Sequence, residues 1–89
     1  MVYAYITDST ATNVYDQPTR RLLIQVNAAL TGSIKVIDGT TGTTANAATI
    51  TNPTVGSQYE YWGFKTGARV IASGSCDITA SADISRGGV

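Results

Sequence analysis

Histidine is absent from this sequence of 89 residues, and Cys76 is its only cysteine. Without histidine, the chain lacks the commonest general base and the commonest metal ligand. A single cysteine can form neither an internal disulfide nor a cysteine-rich zinc cluster. Cys76 begins a segment of alternating apolar residues and is expected to be a buried, inert thiol. We therefore expect no catalytic residues, no metal and no cofactor, and predict that the protein is not an enzyme.

Carboxylates are also few, with six Asp and Glu residues spread over different predicted strands and turns. Acid–base catalysis needs two carboxyl groups a few ångström apart, and nothing in the spacing brings such a pair together. Asp38 has threonine neighbours that could offer oxygen ligands to calcium, but the ligand series of a calcium-binding loop is missing. Roles in turns and at the solvent surface are expected for these residues.

Charge of one sign is lacking as well, because six Lys and Arg residues balance six Asp and Glu residues. Nucleic-acid binders carry a basic stripe, so no nucleic-acid partner is expected. No segment approaches the ~18 apolar residues that span a bilayer, so no membrane partner is expected either. Residues 1–7 lack the basic flank and apolar run of a signal peptide. We expect the protein to stay in the compartment where it is made.

Large aliphatic residues are scarce, with three Leu and one Met, whereas Thr, Val and Ile supply 29 of the 89 residues. Such β-branched side chains favour strands. Apolar–polar alternation predicts seven or eight strands, within 2–7, 14–16, 20–29, 33–38, 47–51, 58–64, 69–73 and 76–82. This pattern is typical of an all-β protein, a small antiparallel β-sandwich of jelly-roll or immunoglobulin-like type.

The chain is long enough for one domain only. Residues 1–19 are predicted to form an N-terminal arm or the first strands, 20–84 the sandwich core, and 85–89 a flexible tail. The 20–29 segment also fits a short helix, although its alternation favours a strand. Gly63 is expected to mark a bulge at which the aromatic strand changes its facing.

Aromatic residues concentrate in 58–64, where they fit three roles: core packing, a protein contact, or stacking on sugar rings. Zero net charge and open sheet edges favour a protein that assembles. Residues 1–7 could add a strand to a neighbouring subunit, in which case their deletion should weaken assembly. The residues expected to make protein contacts are Tyr3, Tyr5, Tyr59, Tyr61, Trp62 and Arg69.

Three segments carry a resemblance to a known group of proteins. Gly32–Thr40 resembles a strand ending in an Asp-Gly-Thr turn, Tyr59–Val70 an aromatic strand followed by a Thr-Gly turn, and Ala72–Thr79 a closing hairpin. Together, over Leu22–Ala82, they are similar to small β-sandwich virion proteins of tailed bacteriophages, including the decoration (cement) proteins of the capsid.

The resemblance implies a non-enzymatic protein that is made in the host cytoplasm and lies on the capsid surface of the virion. It implies two partners, the major capsid protein and further copies of the chain, often as a trimer at local three-fold axes. Arg20, Arg21 and Arg69 could pair with acidic groups of the shell. The alternative is a carbohydrate- or receptor-binding module of a phage fibre or surface protein.

Overall fold

The structure, a computed structural model, describes residues 2–28, 32–42 and 46–84. Within these ranges the chain forms eight strands and no helix, so the all-β prediction is confirmed and the helical alternative for 20–29 is wrong. No helix in the described part of the chain could cross a membrane. The strands are β1 (Val2–Ile6), β2 (Thr12–Tyr15), β3 (Thr19–Ala28), β4 (Ser33–Asp38), β5 (Asn46–Thr51), β6 (Gln58–Phe64), β7 (Ala68–Ala72) and β8 (Asp77–Ile84).

The strands form two four-stranded antiparallel sheets, in the orders β1-β8-β3-β6 and β2-β7-β4-β5. The first strand pairs with the last, the second with the seventh, and so on inward to β4 and β5. This nested pairing is that of an eight-stranded jelly roll, whereas an immunoglobulin-like sandwich has a different strand order. Of the two sandwich types predicted, the strand order therefore selects the jelly roll.

The core lies between the sheets and follows the predicted alternation. From one sheet, Leu22, Ile24 and Val26 of β3 point inward, and β4 of the other sheet contributes Ile34 and Val36, all of them fully or almost fully buried. The inward side of β8 is mostly alanine, which adds little bulk. The smallest extent of the molecule, 17 Å, fits two packed sheets.

The predicted change of facing lies at Gly63. This residue has a positive φ of 78°, a conformation that glycine adopts without the steric penalty of other residues. Trp62 before it is exposed, while Phe64 after it is buried. The same strand can therefore present a tryptophan to solvent and a phenylalanine to the core.

One end of the sandwich is held by the Asp38 carboxylate, which caps the turn between β6 and β7. It accepts hydrogen bonds from the backbone N–H groups of Lys65 (3.0 Å), Thr66 (2.9 Å) and Gly67 (3.5 Å). Partial burial raises the pKa of Asp38, but these three N–H groups and the Lys65 charge outweigh it and lower the pKa below its ordinary value. The Asp38 carboxylate thus serves as a structural cap for this turn.

Candidate contact surface

The outward side of the β1-β8-β3-β6 sheet collects exposed aromatic residues from both edge strands. The strand register places Tyr3 of β1 beside Ser81 of β8, which in turn lies beside Leu23 of β3. Because side chains alternate along a strand, Tyr5 and Trp62 point to the same side. We call this side the aromatic face; it comprises Tyr3, Tyr5, Arg21, Leu23, Gln25, Asn27, Gln58, Glu60, Trp62, Asp77, Thr79, Ser81 and Asp83.

Three of these side chains are large, apolar and open to solvent. Tyr3 is 72% exposed, Tyr5 65% and Trp62 62%, and Leu23 lies half-buried between the two edges. Ser81, between Tyr3 and Leu23, is almost fully covered. A face with aromatic side chains at both edges is typical of surfaces that bind another molecule.

Arg21 joins the charged groups at the Trp62 end of the aromatic face. Its guanidinium lies 3.0 Å from a Glu60 carboxylate oxygen and 3.2 Å from one of Asp83. The same group lies over the Trp62 ring, 5.8 Å from the centroid, within the range of a cation–π contact. Arg21 is therefore engaged within the chain and helps to hold the tryptophan ring in place.

Amide side chains run across the opposite end of the aromatic face. Gln58 donates to the side-chain oxygen of Gln25 (3.5 Å), and Gln25 donates to that of Asn27 (3.4 Å). The Asn27 amide donates to an Asp77 carboxylate oxygen (3.2 Å) and to the Thr79 hydroxyl (3.0 Å). These residues form a polar row that crosses three strands.

Tyr5 extends the polar row onto the edge strand β1. A hydrogen bond with the Asp77 carboxylate raises the pKa of the Tyr5 phenol, and slight desolvation and the Asp77 charge act in the same direction. The Tyr5 ring itself stays exposed and is available as a flat contact surface.

The other aromatic candidates lie elsewhere. Tyr59 and Tyr61 point to the inner side of β6, where they are half-buried and pack against the core. Burial, and secondarily the nearby Tyr59, raise the pKa of Tyr61. The structure therefore brings Tyr3, Tyr5 and Trp62 together and separates them from Tyr59 and Tyr61.

Arg69 lies on the outward side of the other sheet and bonds within the chain. Its guanidinium donates to the Asn13 side-chain oxygen (2.8 Å), to the Thr40 carbonyl (3.3 Å) and to the Gly42 carbonyl (3.1 Å). Ile37, directly opposite Arg69 in the register, is fully buried although it points away from the core cluster. Arg69 thus fixes the backbone that follows β4, a structural role that its position in the sequence did not indicate.

Cys76 has the environment of a structural thiol. Its Sγ atom donates to the Ile6 carbonyl at 3.4 Å. Burial raises the pKa of the thiol, and the carboxylates of Asp8 and Asp77 raise it further. A raised pKa disfavours the nucleophilic thiolate. Within residues 2–28, 32–42 and 46–84, no group of three or more Cys, Asp or Glu side chains is placed to hold a metal ion.

The polar row was not predicted, although its signal is present in the sequence. Gln25 and Asn27 alternate with the buried Ile24 and Val26, so the alternation alone puts both amides on the outward side of β3. Their bonding to Asp77 depends on the β3–β8 pairing, which residue spacing along the chain does not reveal.

No known protein family, no curated protein and no solved structure matches this chain.

Proposed function

We propose that this protein is a non-enzymatic capsid decoration protein of a tailed bacteriophage, which binds the major capsid protein through the aromatic face. The observation that carries the proposal is the exposure of Tyr3, Tyr5 and Trp62 on one side of one sheet. Tyrosine and tryptophan provide most of the binding energy in many protein interfaces, because they bury a large area at a small entropic cost.

The assignment to a virion is supported by the resemblance of segments 32–40, 59–70 and 72–79 to phage decoration proteins. The jelly roll is compatible with it, since viral coat domains share this architecture, but so do lectins, and a fold by itself does not determine function. The proposal of a binding function therefore rests on the aromatic face, and the resemblance indicates the major capsid protein as the partner. The same resemblance implies a location on the virion surface.

The mechanism would be mechanical. Contact with the shell buries apolar area, which contributes roughly 25 cal/mol per Å² before the cost of association is subtracted. Arg21 offsets only one of the three carboxylates of the face, Glu60, Asp77 and Asp83, so the face presents a formal excess of two negative charges to the shell. Many copies that bind neighbouring shell subunits would together resist the pressure of packaged DNA even where each contact is weak.

Co-sedimentation with shells assembled from the major capsid protein of the same virus tests this proposal. We expect Trp62→Ala and Tyr3→Ala each to weaken binding roughly tenfold or more, as at interface hot spots. Lys35→Ala is the matched control, because Lys35 is exposed on the outward side of the other sheet. Equal binding by wild type and by both aromatic variants would refute the role of the aromatic face, and no binding by wild type would refute the capsid proposal.

A carbohydrate-binding function is the second candidate, and the polar row is the observation that favours it. Amide and carboxylate side chains beside exposed aromatic rings can hydrogen-bond the hydroxyls of a sugar while a ring stacks on it. Binding of the wild-type protein to a glycan array, lost in Asn27→Ala and in Trp62→Ala, would support this function. Binding to shells without any glycan signal would exclude it.

A further inference from the structure

The edge strand β1 differs from the other three edge strands of the sandwich. Open edges promote pairing between molecules, and natural proteins obstruct them with short strands, bulges or charges. β2 has four residues and a shift of register against β7, and β5 has a shift against β4. β6 carries Glu60 and the positive-φ Gly63. Within the described residues, β1 is the edge strand that has none of these features, and it pairs with β8 in one unbroken register.

The sequence of β1 is also self-complementary. It reads Val-Tyr-Ala-Tyr-Ile, which is symmetric about Ala4 in the class of each side chain. In an antiparallel pair of two such strands centred on Ala4, Tyr3 of one copy lies opposite Tyr5 of the other, and Val2 lies opposite Ile6. Every residue then meets one of its own class, and no charge faces a like charge. Aromatic cross-strand pairs of this kind stabilise sheets.

We propose that two copies of this chain associate through β1, by antiparallel strand pairing about a two-fold axis at Ala4. The two β1-β8-β3-β6 sheets then become one continuous eight-stranded sheet, with four tyrosines clustered as two cross-strand pairs at the junction. Tyr3 and Tyr5, the most exposed of the large apolar side chains named above, are covered in part by this pairing. A two-fold pair differs from the trimer that the resemblance implies. It also doubles the aromatic face, although the inference itself does not depend on binding to a shell.

Residues 1–7 were expected to add a strand to a neighbouring subunit; they do form a strand, β1, and it pairs within its own chain. Within its own chain, β1 forms five residue pairs with β8 and buries Ile6. Deletion of residues 1–7 would therefore remove part of the sandwich itself, and a loss of assembly would say nothing about the interface. Substitutions of the exposed tyrosines test the interface without removing core contacts.

Native mass spectrometry and sedimentation equilibrium provide the first test. We expect wild type to have twice the chain mass of 9.3 kDa, and both Tyr3→Lys/Tyr5→Lys and Tyr3→Glu/Tyr5→Glu to be folded monomers, since each sets like charges opposite each other. An equimolar mixture of the two should again dimerise. Trp62→Lys, at the other edge of the same face, is the matched control and should remain dimeric. A monomeric or trimeric wild type, or a mixture that stays monomeric, would overturn the proposal.

Disulfide cross-linking in a Cys76→Ala background tests the register. Directly opposed residues have Cα atoms about 4.5–5.5 Å apart, within reach of a disulfide, while diagonal neighbours are about 7–8 Å apart. An oxidised mixture of Tyr3→Cys and Tyr5→Cys chains should therefore yield a mixed dimer, and Tyr3→Cys alone should cross-link at least several-fold less. Equal cross-linking in the two samples would contradict pairing centred on Ala4.

Discussion

The two sheets of this jelly roll have outward sides of different character. On the β1-β8-β3-β6 sheet the aromatic face leaves Tyr3, Tyr5 and Trp62 open to solvent. On the β2-β7-β4-β5 sheet, the outward Ile37 is fully buried, and Arg69 opposite it donates to the backbone carbonyls of Thr40 and Gly42. The first sheet leaves large apolar side chains exposed on its outward side, whereas the outward isoleucine of the second sheet is buried.

This difference separates stability from binding. Arg69, opposite the buried Ile37, is bound to two backbone carbonyls, so its removal leaves polar groups without partners. The aromatic side chains of the other face contribute little to the fold because they are already in water. Substitutions near Ile37 and Arg69 should therefore lower the free energy of unfolding, and those on the aromatic face should weaken association.

Gly67→Ala, in the turn between β6 and β7, should have the largest effect on stability. A Cβ atom at this position would lie 2.9 Å from the Tyr15 carbonyl oxygen and 3.1 Å from that of Gly39. Both are backbone atoms, so relief requires the turn to move and the hydrogen bond from the Gly39 N–H to the Gly67 carbonyl to lengthen. We expect a loss of about 3 kcal/mol in the free energy of unfolding, measured by urea denaturation.

Gly74→Ala is the matched control for this substitution. A Cβ atom at position 74 meets no atom within 4 Å, and Gly74 has no positive φ. Its effect should stay within about 0.5 kcal/mol. Similar losses at both positions would show that the contacts around Gly67 do not determine the stability of this end.

Arg69→Met should have an intermediate effect. The substitution keeps most of the aliphatic stem but removes the donors to Asn13, Thr40 and Gly42. Hydrogen bonds from a charged group are stronger than neutral ones, and partial exposure reduces their contribution, so we expect a loss of about 1–2 kcal/mol. Hydrogen exchange should accelerate at the Gly39 amide.

Arg20→Met serves as the control, since Arg20 is exposed on β3 and its side chain has no hydrogen bond or ion pair with any other described residue. It should be neutral within about 0.5 kcal/mol. If Arg69→Met were equally neutral, the segment that follows β4 would be held by packing and not by the guanidinium.

The sequence allowed the strands and their facing to be predicted because alternation is a local property. Leu22, Ile24 and Val26 identify the inner side of β3 without knowledge of any partner strand. The jelly-roll strand order could not be predicted from this alternation, because the pairing of β1 with β8 joins segments more than seventy residues apart. An immunoglobulin-like order satisfies the same local pattern.

The contact candidates show the same limit. Alternation separates Trp62 from Tyr59 and Tyr61 within β6, so the three could have been sorted by facing before the structure was known. Which side of β6 is buried depends on its pairing with β3, and the role of Arg69 depends on residues 27–56 positions away. Long-range partners of polar side chains leave no periodic signal in the sequence.

Arg21→Met should have the smallest effect on stability, although Arg21 has two ion pairs and a contact with the Trp62 ring. Glu60 is about half exposed and Asp83 about a third, so solvent screens both pairs. Such surface pairs contribute about 0–1 kcal/mol, and methionine retains part of the packing on the ring. We expect a loss below about 1 kcal/mol, smaller still at high salt. A loss as large as that of Arg69→Met would mean that the aromatic face stabilises the fold, and the contrast between the two outward sides would disappear.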